Sequence, residues 1–138
     1  MRNAILIAGL LLLGCTSMQV ATPGRALVTG REKSAVFLAA LQSAQDSGLA
    51  VQSSDQVTGY IYATKGASRL TANQGASLSL SVLVTEEAGA VALDLKSILT
   101  GQMSAYGATK AVMTDFCKAF LARVPEAQVT VDGLPYKP

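Results

Sequence analysis

The run SLSLSVLVTEEAGAVALDLK, residues 77–96, decides the class of fold. Leu78, Leu80, Val82 and Val84 alternate with Ser77, Ser79, Ser81 and Leu83, so one side of this stretch is oily and the other mostly hydroxylic. Glu86-Glu87-Ala88-Gly89 supplies a turn, after which Val91, Leu93 and Leu95 alternate with Ala92, Asp94 and Lys96. Apolar residues at a period of two place every second side chain on one face of a strand. Two such runs joined by a turn predict a β-hairpin with one buried face, the pattern of an antiparallel sheet.

Upstream, the same period continues. Leu49 and Val51 share one face, Ser53-Ser54-Asp55-Gln56 is expected to turn, and Val57, Gly59, Ile61 and Ala63 carry the alternation on. Tyr60 and Tyr62 then fall on the outward side, either as a contact surface for a partner or as cross-strand neighbours filling the sheet. Gly59 and Ala63, on the inward side, leave room either for a ligand or for the close approach of a helix. Residues 65–75 read as a loop with Arg69 as its one obvious handle. Before Gly48 the period is 3.6: Phe37, Ala40, Leu41 and Ala44 recur at i, i+3, i+4 and i+7, which predicts an amphipathic helix. Thr29 stands three residues before Glu32 as a capping box, and Gly48 fits the left-handed position just past the helix end. Arg25 to Val28 reads as a short edge strand.

Downstream, residues 100–106 form a second connection. Val112, Met113, Phe116, Phe120 and Val124 then mark a helix over 107–124 that Pro125 ends. The tail holds one short alternating run, Gln128 to Val131, followed by Gly133 and two prolines, and is expected to be either extended packing or a loose end. A sheet with one apolar face needs a cover, and two amphipathic helices are available to provide it. The expectation is an α+β fold over residues 25–138, a single domain in which an antiparallel sheet of four to five strands carries two amphipathic helices packed on one face.

The amino terminus has a different grammar. Arg2 precedes the apolar run Ala4 to Leu13, and Leu12-Leu13-Gly14-Cys15 closes it with a small residue and a thiol. A positive start, a short apolar stretch and a small-residue cleavage site make a secretory signal, and the run is shorter than the ~20 residues that span a bilayer. With the cysteine in place the stretch resembles a bacterial lipoprotein signal. That resemblance implies removal of residues 1–14 by cleavage between Gly14 and Cys15, and attachment of lipid to Cys15. Thr16 stands where the family's inner-membrane retention signal has Asp, which implies the periplasmic face of the outer membrane. Residues 15–24 are small and polar with one proline, and read as a lipidated tether. The layout from Arg25 to Val124 resembles small lipid-anchored envelope domains of uncharacterised function, and more distantly the helix-grip modules of BamC-type lipoproteins. The residues that carry it are Asp46 to Val51, Ser54-Asp55 and Gly59 to Ala63, with the two alternating strands and the closing helix.

Composition limits the chemistry. The chain has 11 basic and 9 acidic residues, and loss of Arg2 leaves the remainder nearly neutral, so nothing draws it to nucleic acid. Histidine is absent, which removes the commonest general base and zinc ligand and with them a Ser-His-Asp site. No lysine follows a serine by three residues, the acids are scattered, and no phosphate-binding or dinucleotide fingerprint occurs. Lipidation consumes Cys15, which leaves Cys117 either as a small buried hydrophobe beside Phe116 and Phe120 or as a reactive thiol. These residues point to a non-enzymatic, lipid-anchored accessory or scaffolding protein of the envelope, with no metal or cofactor and with a protein partner of unknown identity. The second reading is a small-molecule or lipid-binding module of the helix-grip kind.

Overall fold

In a computed structural model, described over residues 20–65, 77–100 and 107–138, the chain folds as α+β with two helices and a seven-stranded antiparallel sheet. The elements run β1 (Val20–Thr29), α1 (Lys33–Asp46), β2 (Leu49–Asp55), β3 (Tyr60–Lys65), β4 (Ser77–Glu87), β5 (Ala90–Thr100), α2 (Ala108–Arg123), β6 (Gln128–Val131) and β7 (Leu134–Pro135). The sheet order is β2-β3-β4-β5-β1-β6-β7. The hairpin of residues 77–96 is its centre: β4 and β5 pair from Ser77↔Thr100 to Glu87↔Ala90. Ala88 and Gly89 close it, both at positive φ (43° and 83°), the two-residue turn whose twist matches the strands it joins.

The strand count exceeds the four to five expected because the tail also folds into the sheet. Val129 and Val131 are buried, β6 pairs with β1 through Ala26↔Val129, and Asp132-Gly133 turns the chain at positive φ (53° and 75°) into β7. Three further expectations are corrected. β1 starts at Val20, inside the stretch read as tether over 15–24. Pro23 marked that stretch as irregular, yet it sits one residue beyond the β6 ladder, where its carbonyl accepts from the Asp132 amide and no donor is asked of its nitrogen, so the strand tolerates proline. The turn expected at Ser53 to Gln56 is displaced, because a bulge between Val51 and Ser53 lets β2 continue to Asp55 and the chain reverses over 56–59. The Thr29–Glu32 capping box does not form: Thr29 ends β1, and Glu32 at the N-cap makes no side-chain capping bond.

The helices are where the spacing puts them. α1 buries Val36, Phe37, Ala39, Ala40, Ser43 and Ala44, and Gly48 follows at φ 83°. α2 buries Val112, Met113, Phe116, Cys117 and Phe120, with the Phe116 and Phe120 rings stacked at 6.0 Å and 9°. Both helices join one core cluster with the inward residues of the sheet, among them Val28, Ile61, Leu80, Val82, Val84 and Leu93. Each large apolar side chain so buried contributes about 1.5–3 kcal/mol. Arg123 ties the two helices together, donating to Asp46 at 2.6 and 2.9 Å and to Gln42 at 2.9 Å.

Close approach is solved by two glycines, and not in the way the sequence suggests. Gly59, at φ 81°, lies against a strand and not against a helix or a ligand space. Its carbonyl accepts from the Val84 amide at 2.8 Å, and a Cβ there would stand 2.1 Å from the Val84 oxygen. The helix comes close at Gly24 instead, where a Cβ would meet Met113 Sδ at 2.7 Å.

Candidate functional site

Among the described residues, helices cover one face of the sheet, and the side chains of the other face meet solvent. Register defines that surface row by row. Tyr60 lies between Asp55 and Leu83, and the row continues through Asp94 and Arg25 to Thr130. The next row holds Ser53, Tyr62, Ser81, Lys96 and Pro23. Tyr60 and Tyr62 therefore stand side by side along β3, as the alternation predicts, and the sheet brings Leu83 directly beside Tyr60. Tyr60 is 40% exposed and Leu83 38%, while Tyr62, Leu27 and Ile98 are half-buried on the same side. Leu83 is the site residue that motif reasoning passed over. Its signal was present, since it is the one leucine in an otherwise hydroxylic register.

Charge frames this patch. Arg25 reaches Asp94 at 2.8 Å and Glu87 at 2.5 Å, a fork that fixes the arginine flat across β5. All three side chains are about half exposed, so the fork orients more than it stabilises. Exposed aromatic and aliphatic groups ringed by hydroxyls and a paired charge cluster suit contact with a protein surface: the rings bury area at low entropic cost and the rim stays wettable.

The other candidate groups lie elsewhere. Gly14 and Cys15, Arg69, and the connection over 101–106 are outside the described residues. Cys117 is buried in α2 against the core, and burial pushes its thiol up to about 12, the setting of an inert sulfur. Ala63 is fully buried, and with Gly59 against Val84 the inward side of β3 is filled. Two of the depressions among the described residues lie at the rim of the sheet. One of about 560 Å³ lies between Arg31, Lys33, Gln56 and Glu86, and one of about 540 Å³ between α1 and β2. Among the described residues, no three His, Cys, Asp or Glu side chains gather to hold a metal, and no helix is long and apolar enough to cross a membrane. No protein-family model matches the chain, and no curated protein is similar enough to it to indicate a relationship.

Proposed function

We propose that this is a non-enzymatic accessory lipoprotein of the bacterial envelope, held by lipid on Cys15 at the periplasmic face of the outer membrane, whose uncovered sheet face docks on another envelope protein. The observation that carries the docking reading is the asymmetry of the sheet: one face is sealed by two helices, and the other displays Tyr60, Leu83 and Tyr62. The anchor rests on the resemblance of Leu12 to Cys15 to a lipoprotein signal.

The fold adds a length scale. With β1 starting at Val20, the link from Cys15 spans at most about 18 Å. The Tyr60 row is aligned with Arg25, five residues along β1, or about 17 Å of strand. A partner bound there is engaged within roughly 35 Å of the bilayer surface.

A photoreactive residue at Tyr60 or Tyr62, irradiated in intact cells, tests the docking. A discrete adduct with one other envelope protein is expected, and it should weaken in a Cys15→Ser chain that no longer concentrates at the membrane. Only uncrosslinked monomer, with lipid retained in native mass spectra, contradicts the proposal and favours a lipid-binding module.

A further inference from the structure

The two edges of the sheet are built differently. β7 is a two-residue strand ending in Pro135, which offers little backbone to an added strand. β2 is the opposite edge among the described residues; it is seven residues long, with no proline and no basic side chain. Beside it runs the groove of about 540 Å³, lined from α1 by Ala35, Phe37, Leu38 and Leu41 and from the strand side by Ser54 and Gln56. Leu38 is 52% exposed there. The groove lining carries no charge, so a strand laid along β2 would have to present uncharged side chains to it.

We infer that the occupant of this edge is β2 of a second copy of the chain, paired antiparallel across a two-fold axis. β2 itself meets the requirement. Leu49, Val51 and Ser54 point inward and Ala50, Ser53 and Asp55 outward, the bulge at Gln52 taking up the change of step. Setting Val51 opposite Ser54 of the second copy keeps inward residues facing inward, and it puts Asp55, the strand's one charge, opposite Ala50. No like charges meet, the two bulges lie together at the axis, and each groove is offered to the Leu38 of the other copy. The arrangement also closes. Among the described residues β2 is the one long edge not blunted by proline, so pairing consumes it in both copies and leaves only the short β7 edges, giving a dimer and not a fibre. This does not depend on what docks on the open face.

Two epitope-tagged full-length copies, each with Ser53→Cys, are co-expressed and their membranes oxidised. The axis passes beside residue 53, within the 4.4–6.8 Å Cα separation a disulfide tolerates (about 5.5 Å is usual), while Cys117 is buried and does not compete. The expected product carries both tags and has twice the chain mass. It should be absent from the parent chain and from a Thr130→Cys chain, whose thiol is far along the sheet. Leu38→Asp, a change at an exposed site, should lower the dimer by about tenfold while the melting transition stays in place. No mixed-tag product, equal crosslinking from Thr130→Cys, or an adduct that is not a multiple of the chain mass overturns the inference.

Discussion

Of the described glycines, Gly59 has the least room for a Cβ. Its positive φ and the 2.1 Å separation between a would-be Cβ and the Val84 carbonyl oxygen leave no relaxed solution, because the obstacle is backbone. Gly59→Ala should lower stability by about 3 kcal/mol or more in urea titration. Gly24→Ala should cost only about 1 kcal/mol, since the atom it meets is the flexible end of Met113. Ala88 presents the opposite case, a residue with a Cβ held at φ 43° in the turn between β4 and β5. Ala88→Gly should raise the melting temperature, by the equivalent of about 0.5–1 kcal/mol. Cys117 sets an alkaline limit. Its folded pKa is about 12, above the ~8.5 of an unfolded thiol, so the folded chain holds a proton that the unfolded chain releases. Stability present below about pH 8.5 should fall as pH rises towards 12, and Cys117→Ala should flatten that slope in unfolding curves taken across the interval.

Among the elements, the last seven residues do more than end the chain. The Tyr136 amide donates to Val129 at 2.8 Å, its hydroxyl donates to the Thr114 carbonyl at 3.3 Å, and the Asp132 amide donates to Pro23 at 3.0 Å. Truncation after Val131 removes all three bonds and leaves β6 as an unprotected edge. A loss of about 2 kcal/mol and concentration-dependent aggregation are expected, read by thermal melting and light scattering. The elements legible in the sequence were those whose apolar period runs long: α1, α2, and the pair β4 and β5. What stayed hidden has a physical reason in each case. The alternating run Gln128 to Val131 marked β6 as extended but could not show its pairing with the sequence-distant β1, and β7, two residues long, is too short for periodicity to register, although Asp132-Gly133 is a known hairpin signal. The bulge in β2 breaks the alternation at the point where Ser53 and Ser54 already suggest a turn. The candidate surface was half legible: the alternation gave the outward side of Tyr60 and Tyr62, but only strand pairing could bring Leu83 and the Arg25 fork beside them.

At the scale of the molecule, contacts distant in sequence hold the ends of the layers. Arg31, between β1 and α1, forms an ion pair with Glu126, between α2 and β6. The Glu126 carboxyl sits below the usual carboxylate range, first through the hydrogen bond from its own backbone amide and then through Arg31. A depressed carboxyl supports the fold above its unfolded pKa of about 4.3 and loses that support as pH falls through the lower folded value. Glu126→Gln should therefore lose less stability than the parent chain on acidification below about pH 4.3, in denaturant titrations at stepped pH. The same scale bears on the proposed function: were Cys15 lipidated as proposed, a link of five residues to β1 would hold the open sheet face close to the bilayer.

The proposed fastening of the chain is tested most directly by the mass of the amino-terminal peptide from protein isolated out of its native membrane. A peptide beginning at residue 15, with a thioether-linked lipid on the sulfur, is the predicted result. A peptide that begins elsewhere, or a cysteine recovered as an unmodified thiol, would contradict it.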